Sequence, residues 1–168
     1  MNKNKLMWRV TVIGTVLILL FTYFIRLHLI FKIGTKIPIL PGILHFTYDS
    51  GESPFSIFVG NLKFVLVLVS ITFIALITCI MFFVSWVISR QKIMIKSLQI
   101  GLGLLLAGNI GNNIERVLFD SVSVYIDFRL LNLPIINIAD IFMYLGLLIS
   151  VISLVFLVIQ FIVKKMVI

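Results

Sequence analysis

The sequence contains a single cysteine and few acidic residues. Cys79 lies within a long uncharged stretch, so the chain can build neither a disulfide framework nor a thiol metal site. Only 6 of the 168 residues are Asp or Glu, against 14 Lys and Arg. Apolar side chains, by contrast, make up 61% of the chain, and the mean hydropathy is +1.23. This composition excludes an ordinary soluble domain and indicates a membrane protein.

Four apolar stretches are long enough to cross a bilayer, which needs about 20 residues. They cover about residues 8–30, 64–89, 97–114 and 141–163. A backbone in lipid must satisfy its own hydrogen bonds, so each stretch is expected to be a helix. Because no internal repeat or low-complexity tract divides the chain, we expect one domain over residues 1–168. The predicted fold class is an all-α membrane protein with four transmembrane helices and a small extracytoplasmic β element.

The basic residues orient the chain in the membrane. Eight of them flank the spans on one side with no acid among them: Lys3, Lys5, Arg9, Arg90, Lys92, Lys96, Lys164 and Lys165. The positive-inside rule makes this side cytoplasmic, so both termini are predicted inside, and segments 31–61 and 115–139 outside. The net charge of +8 is thus a topology signal and predicts no nucleic-acid partner. The first apolar run lacks a small-residue cleavage site, so we interpret it as a retained span.

The acidic residues gather on the predicted outer side. They are Asp49, Glu52, Glu115, Asp120, Asp127 and Asp140. An ionisable group near lipid is costly unless it has a partner or a role. The outer interface is therefore where chemistry is expected.

The two outer segments carry signals for extended structure. Residues 43–48 read I-L-H-F-T-Y and are bounded by proline, glycine and serine, which favour turns. Residues 121–128 alternate strictly, with Ser121, Ser123, Tyr125 and Asp127 on one face. These patterns predict a small β platform on the membrane surface, and its apolar side chains would suit a lipid-associated substrate.

The ends of the third and fourth spans are unusually polar. The third span carries Gly103, Ala107 and Gly111 at four-residue spacing, which predicts close packing against another helix. Its outer end carries Asn109, Asn112, Asn113, Glu115 and Arg116. Glu115 and Arg116 are sequence neighbours and do not face each other on a helix, so each needs its own partner. Asn137 is expected to cap the fourth helix, with Asp140 in its first turn.

Three motifs in this region resemble those of lipoprotein signal peptidases (signal peptidase II), a family of four-span membrane aspartic proteases. The family patterns are G-N-x-x-D-R, then V-V-D-F-I-D-F, then F-N-x-A-D. Here residues 111–116 read G-N-N-I-E-R, residues 122–128 read V-S-V-Y-I-D-F, and residues 136–140 read I-N-I-A-D. The segment at 37–42, I-P-I-L-P-G, also fits, as do the chain length and the predicted orientation. The resemblance covers essentially the whole chain.

The resemblance implies a substrate and a mechanism. The family removes the signal peptide of lipid-modified bacterial preproteins just before the lipidated cysteine. Two aspartates act as a pair on a water molecule, and two close carboxylates work because their pKa values separate. Asp140 matches the second of these aspartates. Asn112, Arg116 and Asn137 match supporting residues that position the substrate, and Glu115 stands beside them; no metal or cofactor is implied.

The chain departs from the family at several positions. Val124 stands where the family has its first catalytic aspartate, and Glu115 replaces the aspartate beside the arginine. Residues 28–32, H-L-I-F-K, lack the D-Q-x-x-K pattern, and residues 49–55 read D-S-G-E-S-P-F in place of an N-x-G-A-A-F type of sequence. A working pair therefore needs another acid. Asp127 is the first choice, although three residues along a strand shift a side chain by about 10 Å and to the other face. Asp120 and Glu115 are weaker choices.

Two functions follow from the sequence. The first is an aspartic endopeptidase of the signal peptidase II type that uses Asp127 and Asp140, with water as the nucleophile. The second is an inactive homologue that binds lipidated precursors or lipopeptides at the outer face of the membrane. Either way we expect a monomer in the bacterial plasma membrane, surrounded by lipid. A channel is disfavoured because the span centres lack polar lining.

Overall fold

The computed structural model describes residues 5–29, 36–41, 43–51, 92–119, 122–128 and 135–166, with six further helical residues between 69 and 80. Its elements are α1 (Lys5–Leu29), β1 (Lys36–Leu40), β2 (Leu44–Gly51), α2 (Lys92–Phe119), β3 (Val122–Phe128) and α3 (Ile138–Met166). Helices dominate, and a small antiparallel sheet accompanies them. The prediction of a largely helical protein with a β element is confirmed.

Among the residues that the structure describes, two helices are long and apolar enough to cross a membrane. They span Lys5–Leu27 and Ile138–Gln160, and only 33% and 22% of their most apolar segments are buried. The rest of each apolar surface faces outward, as a lipid-facing helix requires. The predicted span at 64–89 lies largely outside the described residues, and the six described positions within it are helical. The count of four transmembrane helices stays a prediction.

Helix α2 packs between α1 and α3. The predicted face of small residues meets α1: a Cβ on Gly103 would lie 2.9 Å from Met7 O, and one on Gly111 would lie 2.7 Å from Ile18 Cγ2. The predicted close packing is thus confirmed. A second set of glycines in α2 meets α3, where Gly108 lies against the carbonyl of Ala139. Close packing on both sides sets the C-terminal part of α2 beside the first turn of α3.

The sheet has the order β1-β2-β3 and is antiparallel throughout. Strand β3 covers nearly all of the alternating segment, so the period-two prediction is confirmed. Its Tyr125 is buried and packs against the rings of Phe21 and Phe46. On the side of β3 away from β2, Ile136 pairs with Ile126 through backbone hydrogen bonds, and the chain then leads directly into α3. The sheet is therefore tied to the start of α3.

Candidate active site

Polar side chains converge where α2 ends and α3 begins. The amide of Asn112 donates to Asp140 Oδ1 at 2.8 Å, and the amide of Asn137 donates to Asn112 Oδ1 at 3.0 Å. Asn112 and Asn137 are buried, whereas Asp140 is half-buried. Three of the four residues that match the family motifs thus form one cluster, which holds a partly accessible carboxylate.

Asn137 and Asp140 also cap α3 reciprocally. The backbone N–H of Asp140 donates to Asn137 Oδ1 at 2.9 Å, and that of Asn137 donates to Asp140 Oδ2 at 3.1 Å. The predicted cap is confirmed. Both Asp140 oxygens therefore accept a hydrogen bond from the protein, which fixes the plane of the carboxylate.

Ser123 connects this cluster to Glu115. The amide of Asn137 also donates to the backbone carbonyl of Ser123 at 3.1 Å. The backbone N–H of Ser123 donates to Glu115 Oε2 at 3.2 Å, and its hydroxyl donates to Glu115 Oε1 at 3.1 Å. Sequence reasoning did not assign Ser123 to the site. The signal was its place on the same face of the alternating strand as Tyr125.

Glu115 pairs with a residue of α1 and not with its sequence neighbour Arg116, as the helix spacing predicts. Arg26 Nε donates to Glu115 Oε1 at 3.1 Å, and the Arg26 guanidinium also lies 4.1 Å from the centre of the Phe119 ring. Burial raises the pKa of the Glu115 carboxyl, while Arg26 and the donors of Ser123 oppose that rise. The expectation that Glu115 contacts substrate receives no support from this geometry, because Glu115 is almost fully buried and bound on both oxygens.

Arg116 provides positive charge beside both carboxylates. Burial lowers the pKa of its guanidinium, and the charges of Asp140 and Glu115 counteract that shift. An arginine stays protonated at neutral pH. Its buried Nε has no hydrogen-bond partner among the described residues. A guanidinium charge at this position can stabilise negative charge that develops beside Asp140.

Tyr125 fixes the position of the sheet against the first residue of α3. The backbone N–H of Ile138 donates to the Tyr125 hydroxyl at 3.0 Å. Burial raises the pKa of this phenol, so it stays protonated. The site is thus supported on one side by α2 and on the other by β3.

The remaining predicted acids fall at different places. Asp127 lies in β3 at the register position opposite His45. Because β3 is extended there, Asp127 and Val124 belong to opposite faces of the strand. Asp120 and Glu52 lie outside the described residues. In the described part of the chain, no three His, Cys, Asp or Glu side chains are grouped as a metal site would need.

This arrangement suits hydrolysis of a peptide bond. A carboxylate of fixed orientation can take a proton from water, and a nearby guanidinium can stabilise charge on a carbonyl oxygen. A second carboxylate is required to complete an aspartic pair, since one group takes a proton while the other donates one.

Comparison with known proteins agrees with the motifs. The model of the family signal peptidase (SPase) II matches residues 11–156. The chain is 37% identical to the lipoprotein signal peptidase of Microcystis aeruginosa over 157 residues, covering 90% of this chain and 93% of that one. It is 36% identical to the lipoprotein signal peptidase of Gloeothece citriformis over 152 residues, covering 88% and 87% of the two chains.

Solved structures agree on the fold. Two structures of bacterial membrane enzymes match with TM-scores of 0.65 and 0.69, at 24% and 22% identity. Each match covers 86% of this chain, and 87% and 91% of the respective enzyme. The helices and the sheet described above are therefore arranged as in known membrane enzymes.

Proposed function

This chain belongs to the signal peptidase II family, and on that premise we propose that it is an aspartic endopeptidase that removes signal peptides from lipid-modified prolipoproteins. The observation that carries the proposal is the cluster of Asp140, Asn112 and Asn137. Its members coincide with the family motifs and hold one carboxylate at the end of a helix.

The proposed reaction is a hydrolysis by water. One carboxylate takes a proton from water while the oxygen attacks the scissile carbonyl carbon. The second carboxyl group then protonates the leaving amide nitrogen as the C–N bond breaks. Asp140 is one member of the pair, and Arg116 would stabilise the developing oxyanion. We propose Asp127, the first choice from the sequence, as the second member of this carboxylate pair.

The membrane arrangement completes the proposal. Four spans of a single domain would place both termini in the cytoplasm and the site at the outer face of a bacterial plasma membrane. The exposed apolar residues Ile37, Ile39 and Leu40 of β1 would then lie near the lipid surface. They would meet the acyl chains of the substrate there, and the chain would act as a monomer.

A second candidate function rests on Val124. A valine cannot exchange protons, so a chain that has lost its pair of acids could still bind lipidated precursors or lipopeptides without cutting them. The two functions differ in one observable, which is cleavage of a bound substrate.

Purified protein in detergent, mixed with a diacylglyceryl-modified prolipoprotein, tests the proposal. We expect cleavage by the wild type and a loss of at least about 100-fold in Asp140→Asn, because this change keeps the size of the side chain and removes its basic group. Tyr144→Phe, an exposed change in the same helix, is the matched control and should cleave normally. A wild-type protein that binds the substrate without cleaving it would instead favour the second function, that of an inactive homologue. In that case Val124→Asp should create activity.

A further inference from the structure

Strand β3 holds the start of α3 at two points. The backbone N–H of Ile138 donates to the Tyr125 hydroxyl at 3.0 Å, and the side-chain amide of Asn137 donates to the Ser123 carbonyl at 3.1 Å. Tyr125 and Ser123 are almost fully buried, with relative exposures of 1% and 0%. Both contacts therefore lie inside the protein, just ahead of Asp140 in the chain.

The position of Asp140 depends on these contacts. The first N–H groups of a helix have no partner within the helix, so each needs an acceptor from elsewhere. Ile138 N–H uses the Tyr125 hydroxyl, and Asp140 N–H uses Asn137 Oδ1. Without that hydroxyl, the partly buried N–H of Ile138 would be left unsatisfied, and an unsatisfied donor is costly. The first turn of α3 would then have to move to regain a partner.

The two strand residues are themselves anchored to other elements. The ring of Tyr125 packs against Phe21 of α1 and Phe46 of β2, with ring centroids 6.0 and 5.6 Å apart. Ser123 donates its backbone N–H and its hydroxyl to Glu115 of α2. Three neighbouring elements therefore fix where β3 presents its acceptors to α3.

These two positions are polar in this chain but apolar in the family pattern. That pattern, V-V-D-F-I-D-F, has valine at position 123 and phenylalanine at position 125, whereas this chain reads V-S-V-Y-I-D-F. A phenylalanine could fill the same space between the neighbouring rings, but it could not accept a hydrogen bond from Ile138. The contact between Tyr125 and Ile138 is thus a feature of this chain that the family motifs do not imply.

Resting on the proposed peptidase function, we propose that Tyr125 is a positioning residue, which sets the orientation of Asp140 by holding the start of α3 against β3. Because Tyr125 is almost fully buried, it acts through the Ile138 N–H and through the cap that joins Asn137 to Asp140. A displacement of about 1 Å at a reacting group can cost about 100-fold in rate. Even a partial loosening of this cap should therefore lower kcat.

Tyr125→Phe tests this proposal, because it removes the hydroxyl and keeps the packed ring. In the detergent assay, at a temperature where both proteins are folded, we expect kcat to fall by about 10-fold with KM unchanged. Tyr144→Phe, an exposed change one turn beyond Asp140, is the matched control and should keep the wild-type kcat. Ser123→Ala removes the other anchoring hydroxyl and should also lower kcat. Its control is Ser150→Ala, which removes a buried hydroxyl bonded within its own helix.

Hydrogen exchange gives a readout that does not depend on cleavage. The backbone N–H of Asp140 donates to Asn137, so its exchange rate reports on the cap and not on the bond that Tyr125→Phe deletes. We expect this amide to exchange about 10-fold faster in Tyr125→Phe than in the wild type. The rate is measured by NMR on protein that carries isotope-labelled aspartate, and the signal is assigned by its loss in Asp140→Asn.

The outcomes separate this inference from the function on which it rests. A wild type that cleaves, with a Tyr125→Phe variant of equal kcat and equal exchange rate, overturns the positioning role and leaves the peptidase intact. A lower melting temperature with both quantities unchanged assigns Tyr125 to folding alone and also overturns it. A fall in kcat with an unchanged exchange rate contradicts the route through the cap. A wild type that does not cleave refutes the proposed function, and the exchange rate of the Asp140 amide then decides by itself whether Tyr125 holds the cap.

Discussion

Glu115 shows how one buried carboxylate holds three parts of the protein together. Its two oxygens accept hydrogen bonds from Arg26 of α1 and from the backbone and hydroxyl of Ser123 in β3, while Glu115 itself belongs to α2. The longer side chain at this position, where the family has aspartate, spans the gap to both partners. Glu115 therefore joins α1, α2 and β3 beside the cluster that holds Asp140.

The raised pKa of Glu115 predicts how the stability of the protein depends on pH. Because burial raises its folded-state pKa above 4.5, the folded protein binds the proton more tightly than the unfolded chain does. Its contribution to the free energy of unfolding is largest below pH 4.5 and falls as the pH rises through the raised pKa. Glu115→Gln removes this titration. Between about pH 4 and pH 8, the melting temperature of the wild type should fall relative to that of the variant. A difference in melting temperature between the two proteins that stays constant across this range would contradict a raised pKa of Glu115.

At the scale of the element, the contact between Arg26 and Glu115 joins α1 to α2. Both side chains are largely buried, with relative exposures of 14% and 4%. Removing one partner of such a pair leaves an uncompensated charge, which costs about 3–5 kcal/mol, whereas replacing both by apolar residues is often nearly neutral.

A double-mutant cycle tests this ion pair. We expect Arg26→Met and Glu115→Leu each to lower the melting temperature in detergent strongly, and the double variant to lie closer to the wild type than either single variant. Val117→Ala, an exposed change in α2, controls for general effects of substitution. Additive losses in the double variant would show that the two side chains act independently.

The packing of α2 against α3 gives another prediction. A methyl group added at Gly108 would meet the carbonyl of Ala139 and lie 2.6 Å from Met143 Cγ. The first turn of α3 would have to move away, at a cost of about 1–3 kcal/mol. Gly108→Ala should lower both the melting temperature and the cleavage rate, because the shift separates Asn112 from Asp140. Leu118→Ala, exposed on the same helix, should leave both unchanged. Wild-type stability in Gly108→Ala would contradict this packing.

The sequence predicted the elements of this fold better than their contacts. Hydropathy indicated a membrane protein, alternation located β3, and Asn137 with Asp140 marked the start of α3, because each of these signals is local. The pairing of Arg26 with Glu115 joins residues 89 apart in the chain, and no local pattern encodes it. The pairing of Asp49 with Val124 also could not be predicted from the sequence. Alternation assigns residues to faces, whereas a bulge decides which residues lie opposite each other.

For the whole molecule, the proposed function requires that the sheet, the end of α2 and the start of α3 lie on the extracytoplasmic side of the membrane. We expect a membrane-impermeant maleimide to label Pro41→Cys but not Lys96→Cys in intact cells, both in a Cys79→Ser background. Both positions are exposed in the fold, so the difference reports only the side of the membrane. Labelling of Lys96→Cys, with protection of Pro41→Cys, would invert the topology and move the site to the cytoplasm.

Mass spectrometry of a single-turnover reaction distinguishes a peptidase from a homologue that only binds its substrate. Purified wild-type protein is incubated in excess over a diacylglyceryl-modified prolipoprotein, and the products are identified by their masses. We expect two fragments, one of which begins at the lipidated cysteine, and an intact precursor when Asp140→Asn replaces the wild type. A precursor that stays whole while bound to the wild-type protein would contradict it.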